Sequence, residues 1–225
     1  MWISKYFQER AILAPTNEIV AKVNDYVLSK MTGAMKEYLS SDSISKAEGY
    51  TSNQEELYSA EFLNFIRCVD LPNHKITLKI GNPIMLMRNL DQLVGLCNGT
   101  RVVVNQHGNH IIQAIVITGS NISHKVLISR RSLTPYASNT LPINFQRRQL
   151  PVMVCYVMTI NKIQGQSLLH VELYLPRPVF SHGQLYIVIS RVTSKKGLKI
   201  LICDHDSRTL STTENVVYKE VFENL

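Results

Sequence analysis

No stretch of the sequence approaches the roughly 18 uninterrupted apolar residues of a membrane-spanning helix. The start, MWISKYFQER, lacks the hydrophobic core of a secretory signal. The four cysteines, Cys68, Cys97, Cys155 and Cys203, stand far apart and form no CxxC pair. That argues against a paired-cysteine site and for buried free thiols in a reducing compartment. No internal repeat and no low-complexity tract is present. Acidic residues are in deficit, 17 Asp and Glu against 24 Lys and Arg, which gives a formal net charge of +7. This surplus favours a polyanionic partner. With 45% hydrophobic and 18% charged residues, the 225-residue chain is too apolar for disorder. It is long enough for one domain, or one domain carrying a smaller insertion. A soluble intracellular protein without membrane contact is expected.

What is present falls into three textures. RAILA (10–14), ended by Pro15, reads as a buried strand. In the following TNEIVAKVNDYVLSKM, Ile19, Val20, Val23, Val27 and Met31 lie on one helical face. Thr16 or Asn17 can cap that helix, and Glu18 suits its first turn. Residues 40–56 are polar and read as including exposed loop, with a short helix over 55–67. From Lys75, ITLKI, IMLMRNL, TRVVVNQ, HIIQAIVIT and HKVLISR form short β-rich segments separated by turn residues, the pattern of a small antiparallel barrel or sandwich. His107 and His110 have a metal-like spacing, but Gly108-Asn109 between them reads as a hairpin turn, and no metal site is expected. The α/β pattern then returns: VMVCYVM as one strand buried on both faces, a helix from about Asn161, VELYL as a strand, a helix in SHGQLYIVISRV, and LKILIC as another buried strand.

The stretch TINKIQGQSL, residues 159–168, places six polar side chains between two apolar segments. An ordinary capped surface turn is one reading. The other is a strand-to-helix junction that grips an anionic ligand: in open α/β sheets, ligands sit beyond the carboxyl ends of strands, where helix amides are unpaired. Gly165 allows close approach, Lys162 adds a point charge, and Asn161, Gln164 and Gln166 offer hydrogen-bond donors.

TINKIQGQSL resembles motif V of the superfamily-one DNA helicases of the Pif (petite integration frequency) family, where the run usually reads TINKSQGQS. SHGQLYIVISRV resembles motif VI, usually GQLYVALSRV. AILAPTNEIVAKVN is similar to motif IV, and LKIGNPIMLMRNLDQLVGLCNGTR to the segment opening the inserted 2B module. NVVYKEVF is similar to the plant and Helitron-transposon branch. The likenesses occur in family order and cover nearly the whole chain after about Ala11.

The resemblance implies an α/β fold: a second RecA-like (P-loop NTPase-type) domain, 2A, formed by residues 1–74 and 151–225 and interrupted at 75–150 by a small SH3-like β-barrel, 2B. It implies a motor that unwinds DNA with five-prime-to-three-prime polarity, in repair, recombination, telomere maintenance or Helitron transposition. Residence in the nucleus is implied, with the mitochondrion as alternative. Arg191 aligns with the arginine finger, which acts in trans on ATP held by another RecA-like half; its planar fork suits charge spread over phosphoryl oxygens. Gln184, Gly165 and Gln166 align with nucleotide-coupling positions. Thr159, Asn161, Lys162 and Gln164 align with DNA-binding ones, as do Thr16 and Asn17, which could equally be helix caps only. Tyr186 shares the motif VI helix and could simply pack. The implied partners are single-stranded and forked DNA and an N-terminal RecA-like half.

Two departures bear on activity. Ile163 replaces the usual motif V serine, either weakening a DNA contact or packing on the sheet. No GxxxxGK[ST] and no strand-borne Asp-Glu pair occurs, so ATP and Mg²⁺ are expected only with a Walker-bearing half, and the chain alone is expected not to hydrolyse ATP. The alternative reading is a non-enzymatic single-stranded-DNA-binding remnant. Arg130-Arg131, Gln146-Arg147-Arg148-Gln149 and Ser194-Lys195-Lys196 are basic clusters that either line a DNA channel or are solvated charge.

Overall fold

The computed structural model of the protein describes residues 2–44, 58–135, 145–163, 165–204, 206, 208–218 and 220. The backbone divides into two units, Met1–Met31 with Cys155–Leu225, and Thr32–Val154.

In the first unit RAILA forms the predicted strand, Arg10–Ala14, between two parallel neighbours, Val157–Thr159 and His170–Leu175. Leu198–Cys203 continues the parallel order but is not the buried strand expected, since Ile200 and Leu201 are exposed, and Thr209–Leu210 closes the far edge antiparallel. Strands covered on both faces carry runs of apolar residues, and Leu13, Val157, Val171 and Leu173 are accordingly inaccessible. The helix Asn17–Lys30 follows the first strand. Thr16 is its N-cap, accepting the Ile19 amide on its hydroxyl at 3.4 Å, and Glu18 stands in the first turn. On the face predicted to be apolar, Val20 is buried, and Ile19, Val23, Val27 and Met31 are partly buried. The same face also buries Asn24. Its side-chain amide donates to the Val157 carbonyl at 3.0 Å and accepts the Val157 amide at 2.9 Å.

The second unit pairs its strands antiparallel throughout. A five-stranded sheet runs in the order Val152–Val154, Pro83–Leu86, Arg101–His107, Ile111–Val116, Lys125–Ser129. Met35–Leu39 pairs with Lys75–Lys79, and Phe145–Gln149 lies between Ser41–Ile44 and Arg131–Leu133. The core joins Tyr38, Leu78, Leu86, Val102, Ile112 and Ile128, among others. The predicted hairpin at Gly108-Asn109 is present. A Cβ on Gly108 would lie 2.6 Å from the Ile111 carbonyl oxygen, which explains the glycine.

The structure corrects several sequence expectations. The β unit begins at Thr32 and ends at Val154, not at 75 and 150, because strands Met35–Leu39 and Ser41–Ile44 pair inside it. VMVCYVM is not one strand. Val152–Val154 pairs antiparallel with Pro83–Leu86, whereas Val157–Thr159 pairs parallel with Arg10–Ala14, and the chain passes between units at Cys155. Val152, Val157 and Met158 are buried and Met153 and Val154 partly so, and hydrophobicity alone reads as continuous across both halves. The helix expected from Asn161 is a single 3-10 turn, Ile160–Ile163. The helix expected over 55–67 is Ala60–Phe65, with 55–57 outside the described residues. Arg147 and Gln149 line no channel. Arg147 is buried on Asp42, with Nη2 to Oδ2 at 2.7 Å, and its remaining donors reach the carbonyls of Leu63, Ile66 and Pro72. Gln149 is buried too, donating to the carbonyls of Tyr38 and His74.

Candidate functional site

The register Ala14↔Thr159 aligns the carboxyl ends of two adjacent parallel strands. Thr16 and Asn17 follow directly after one, Asn161 and Lys162 after the other. This is the edge at which open α/β sheets hold ligands. Asn17 and Asn161 are exposed there, Thr16, Thr159 and Lys162 partly so, and the Thr16 hydroxyl is engaged in its cap. Gln164 lies outside the described residues. Ile163 is fully buried, so it packs inward and presents no apolar surface to a bound strand.

From this edge the loop crosses to the start of strand His170–Leu175. The Gln166 amide closes the 3-10 turn on the Ile163 carbonyl at 3.0 Å. Gly165 adopts φ +83°, with nothing within 4 Å of a Cβ placed on it. Its left-handed backbone accounts for the glycine, and no protein backbone approaches it closely. The loop ends against the residues similar to motif VI. The Leu168 amide donates to the Arg191 carbonyl at 2.9 Å, and the Thr193 amide donates to the Leu168 carbonyl at 3.2 Å. Gly197 sits below this pairing, where a Cβ would fall 1.9 Å from the Leu169 carbonyl oxygen.

The helix Gln184–Ser190 ends at Arg191 and packs on the Ile160–Ile163 turn. It starts from Gly183, in the left-handed conformation at φ 76°. Gln184 is buried, and its Oε1 accepts the Phe180 amide at 3.2 Å, tying down the turn that leads into the helix. Tyr186 does not pack: it is 73% exposed. His182 in that turn stacks on Tyr218 at 5.1 Å and accepts its amide at 3.0 Å, so Tyr218 lies against the motif VI entry. Two polar atoms of the loop and helix end, Gln166 Oε1 and Arg191 Nε, are inaccessible and have no hydrogen-bond partner among the described residues. Most buried polar atoms in folded proteins are matched. The Arg191 guanidinium is a donor suited to an anionic oxygen, whereas Gln166 Oε1 is an acceptor that calls for a donor.

The rest of the molecule is less suggestive. Among the described residues no group of three or more His, Cys, Asp or Glu side chains could hold a metal ion, and no helix is long and apolar enough to cross a membrane. A cavity of about 620 Å³ beside the helix Asn17–Lys30, lined by Val23, Tyr26, Tyr174 and Leu201 among others, contains none of the candidate residues. Lys195, Lys196, Arg131 and Arg148 are exposed. Arg130 instead donates to the Leu39 carbonyl and lies over the Tyr38 ring.

Residues 61–107, within the β unit, match a family model described as the 2B domain of DNA helicase Pif1. The chain is 34% identical over 144 residues to the ATP-dependent DNA helicase PIF1 of Danio rerio, covering 63% of this chain and 21% of that protein. To the human protein of that name it is 34% identical over 132 residues, 57% of this chain and 20% of that one. Over these residues the chain is similar to the Pif1 helicases. It spans about a fifth of the length of these Pif1 relatives. Among solved structures, it is similar to a Bacteroides Pif1 in complex with ADP-AlF3 and ssDNA, at TM-score 0.67 and 18% identity over 97% of this chain and 45% of that one. It is likewise similar to Candida albicans Pif1, at TM-score 0.66 and 21% identity over 96% and 48%. At such identities the likeness concerns the fold: a RecA-like Pif1 domain with an SH3-like 2B insertion.

Asn24, Arg147 and Gln149 were missed as structural polar residues. A polar residue on an otherwise apolar helical face was the available signal for Asn24. Nothing in the sequence separates Arg147 from Arg148.

Proposed function

We propose that the chain is the C-terminal motor portion of an ATP-dependent DNA helicase of five-prime-to-three-prime polarity, in the plant and Helitron-transposon branch that NVVYKEVF suggests. The observation that carries this reading is the loop over 159–168, fastened to the Arg191 carbonyl, with the donor Arg191 Nε inaccessible and unmatched among the described residues. In this reading Thr159, Asn161 and Lys162, with Thr16 and Asn17, meet single-stranded or forked DNA at the carboxyl edge of the sheet. Gln164 shares that role on its motif position alone. Gly165 and Gln166 pass the state of the strand to the helix Gln184–Ser190, whose entry Gln184 fixes. Arg191 directs its guanidinium at the γ-phosphate of ATP held by a Walker-bearing RecA-like half. Such a fork offsets charge spread over phosphoryl oxygens. ATP supplies the phosphoryl-transfer energy, and Mg²⁺ is held by that other half. Work in repair, recombination, telomere maintenance or Helitron transposition, and residence in the nucleus or alternatively the mitochondrion, complete the proposal.

The test combines this chain with a Walker-bearing half from a relative and measures DNA-stimulated ATP hydrolysis. Turnover is expected only in the combination, and Arg191→Ala should reduce it roughly 10³-fold. Full turnover in the variant removes the finger role. The lack of GxxxxGK[ST] favours a second reading, a DNA-binding remnant; salt-dependent DNA binding with no turnover even in the combination would select it.

A further inference from the structure

Among the described residues of Met1–Met31 and Cys155–Leu225, three inaccessible side-chain atoms lack a hydrogen-bond partner: Gln166 Oε1, Arg191 Nε and the Thr213 hydroxyl. A hydroxyl can turn to give or to accept, whereas a carboxamide oxygen only accepts and a guanidinium Nε–H only donates. Gln166 and Arg191 are therefore complementary, an acceptor without a donor and a donor without an acceptor. The backbone holds the two residues on adjoining segments. The Gln166 amide closes the turn Ile160–Ile163 at 3.0 Å, and the helix Gln184–Ser190, which ends at Arg191, packs on that turn. Two residues past Gln166, the Leu168 amide donates to the Arg191 carbonyl at 2.9 Å, and Leu168 forms a parallel bridge with Val192. Gln166 stands two positions before that rung and Arg191 one, a diagonal separation that long side chains can span.

Buried polar atoms left without a partner raise the free energy of the arrangement that holds them. Catalytic hydrogen bonds are often open in a ligand-free protein and tighten only in the complex that reacts. We propose that Gln166 is a positioning residue for the arginine finger: when the cleft closes on ATP, its Oε1 accepts the Arg191 Nε–H and fixes the plane of the guanidinium. Both Nη groups then stay available to meet phosphoryl oxygens as a fork. The neutrality of the amide matters. A carboxylate at this position would orient the guanidinium as well, but it would offset the positive charge that the phosphoryl group needs. A carboxamide orients the finger and leaves its charge whole. The proposal rests on the reading of Arg191 as an arginine finger.

The full chain, combined with a Walker-bearing half from a relative, is assayed for DNA-stimulated ATP hydrolysis. Gln166→Leu should lower kcat by about tenfold to a hundredfold while KM for ATP and affinity for DNA hold, because only transition-state geometry is lost. Gln166→Glu keeps the acceptor and should recover part of that loss. Arg191→Lys keeps a charge but has no Nε–H, so adding Gln166→Leu to it should slow turnover no further. A merely structural glutamine gives the opposite pattern: the two losses multiply, and the thermal midpoint of Gln166→Leu falls with them. Losses that multiply overturn the proposal, as does a Glu variant as slow as the Leu variant. Weakened DNA affinity with kcat intact makes Gln166 a strand contact and overturns it too. Failure of the reading beneath looks different: turnover is then absent from the unmutated combination, or undiminished in Arg191→Ala.

Discussion

At the scale of single residues, the side chains that matter most for stability are polar. Arg147 and Asp42 form an ion pair whose side chains are each 1% exposed. Arg147 also donates to three backbone carbonyls, tying the helix Ala60–Phe65 and the segment up to Pro72 to the strand Phe145–Gln149. Removing one partner of a buried pair leaves the other charge uncompensated, which costs about 3–5 kcal/mol. Arg147→Met should lower the urea midpoint accordingly, and Arg147→Met with Asp42→Asn should recover part of the loss. Arg148→Met, at the exposed neighbour, should leave the midpoint unchanged. His107 gives a pH-dependent prediction. Burial, reinforced by Lys36, holds its imidazole below the usual 6.5. As pH falls the unfolded chain takes up this proton first, so the contribution of the neutral ring is full above the unfolded value and is lost as pH drops towards the folded one. Unfolding at about pH 8 and about pH 5.5 should show stability falling, with a smaller fall in His107→Gln. None of this was legible in QRRQ or HGNH: adjacent arginines look alike until a strand register sends one inward and the next outward.

At the scale of elements, legibility depended on whether a segment carries its own signal. The strand Arg10–Ala14, the helix Asn17–Lys30 and the hairpin at Gly108-Asn109 are encoded locally by an apolar run, a cap with a periodic face, and a turn dipeptide. The split of VMVCYVM between two sheets is not, because burial looks the same whichever sheet provides it. The missing helix after Thr159 has a similar cause: its backbone is held by the Ile163–Gln166 turn and the Leu168–Arg191 hydrogen bond, and that partner lies more than twenty positions away in sequence. Gly197 tests the arrangement. A methyl group there cannot coexist with the Leu169 carbonyl at 1.9 Å, so the backbone must shift. Gly197→Ala should destabilise the α/β unit by roughly 3 kcal/mol or more, and hydrogen exchange should show the Leu168 amide losing protection before those of the central strands. Full protection at Leu168 would mean that the pairing does not depend on this approach.

At the scale of the whole molecule, motif order pointed to the fold class and to the likeness with Pif1 helicases but placed the unit boundary more than forty residues late, since Thr32–Val154 draws its first strands from a segment with no motif of its own. The candidate residues came as a set from motif likeness, and those described lie at two neighbouring strand ends, the loop that follows and one helix. Their unmatched atoms were not, since satisfaction of a buried amide or guanidinium depends on every surrounding group. The Asn24 side chain has a consequence for the molecule in company. Val157–Thr159 is the outermost strand of its sheet, and the amide and carbonyl of Val157 are both taken by Asn24. A stray strand arriving at this rim finds that rung of the ladder filled by a side chain imitating a peptide group. The rim thus resists templating by neighbouring copies, and crowded solutions of the protein are shielded there from fibrous self-association.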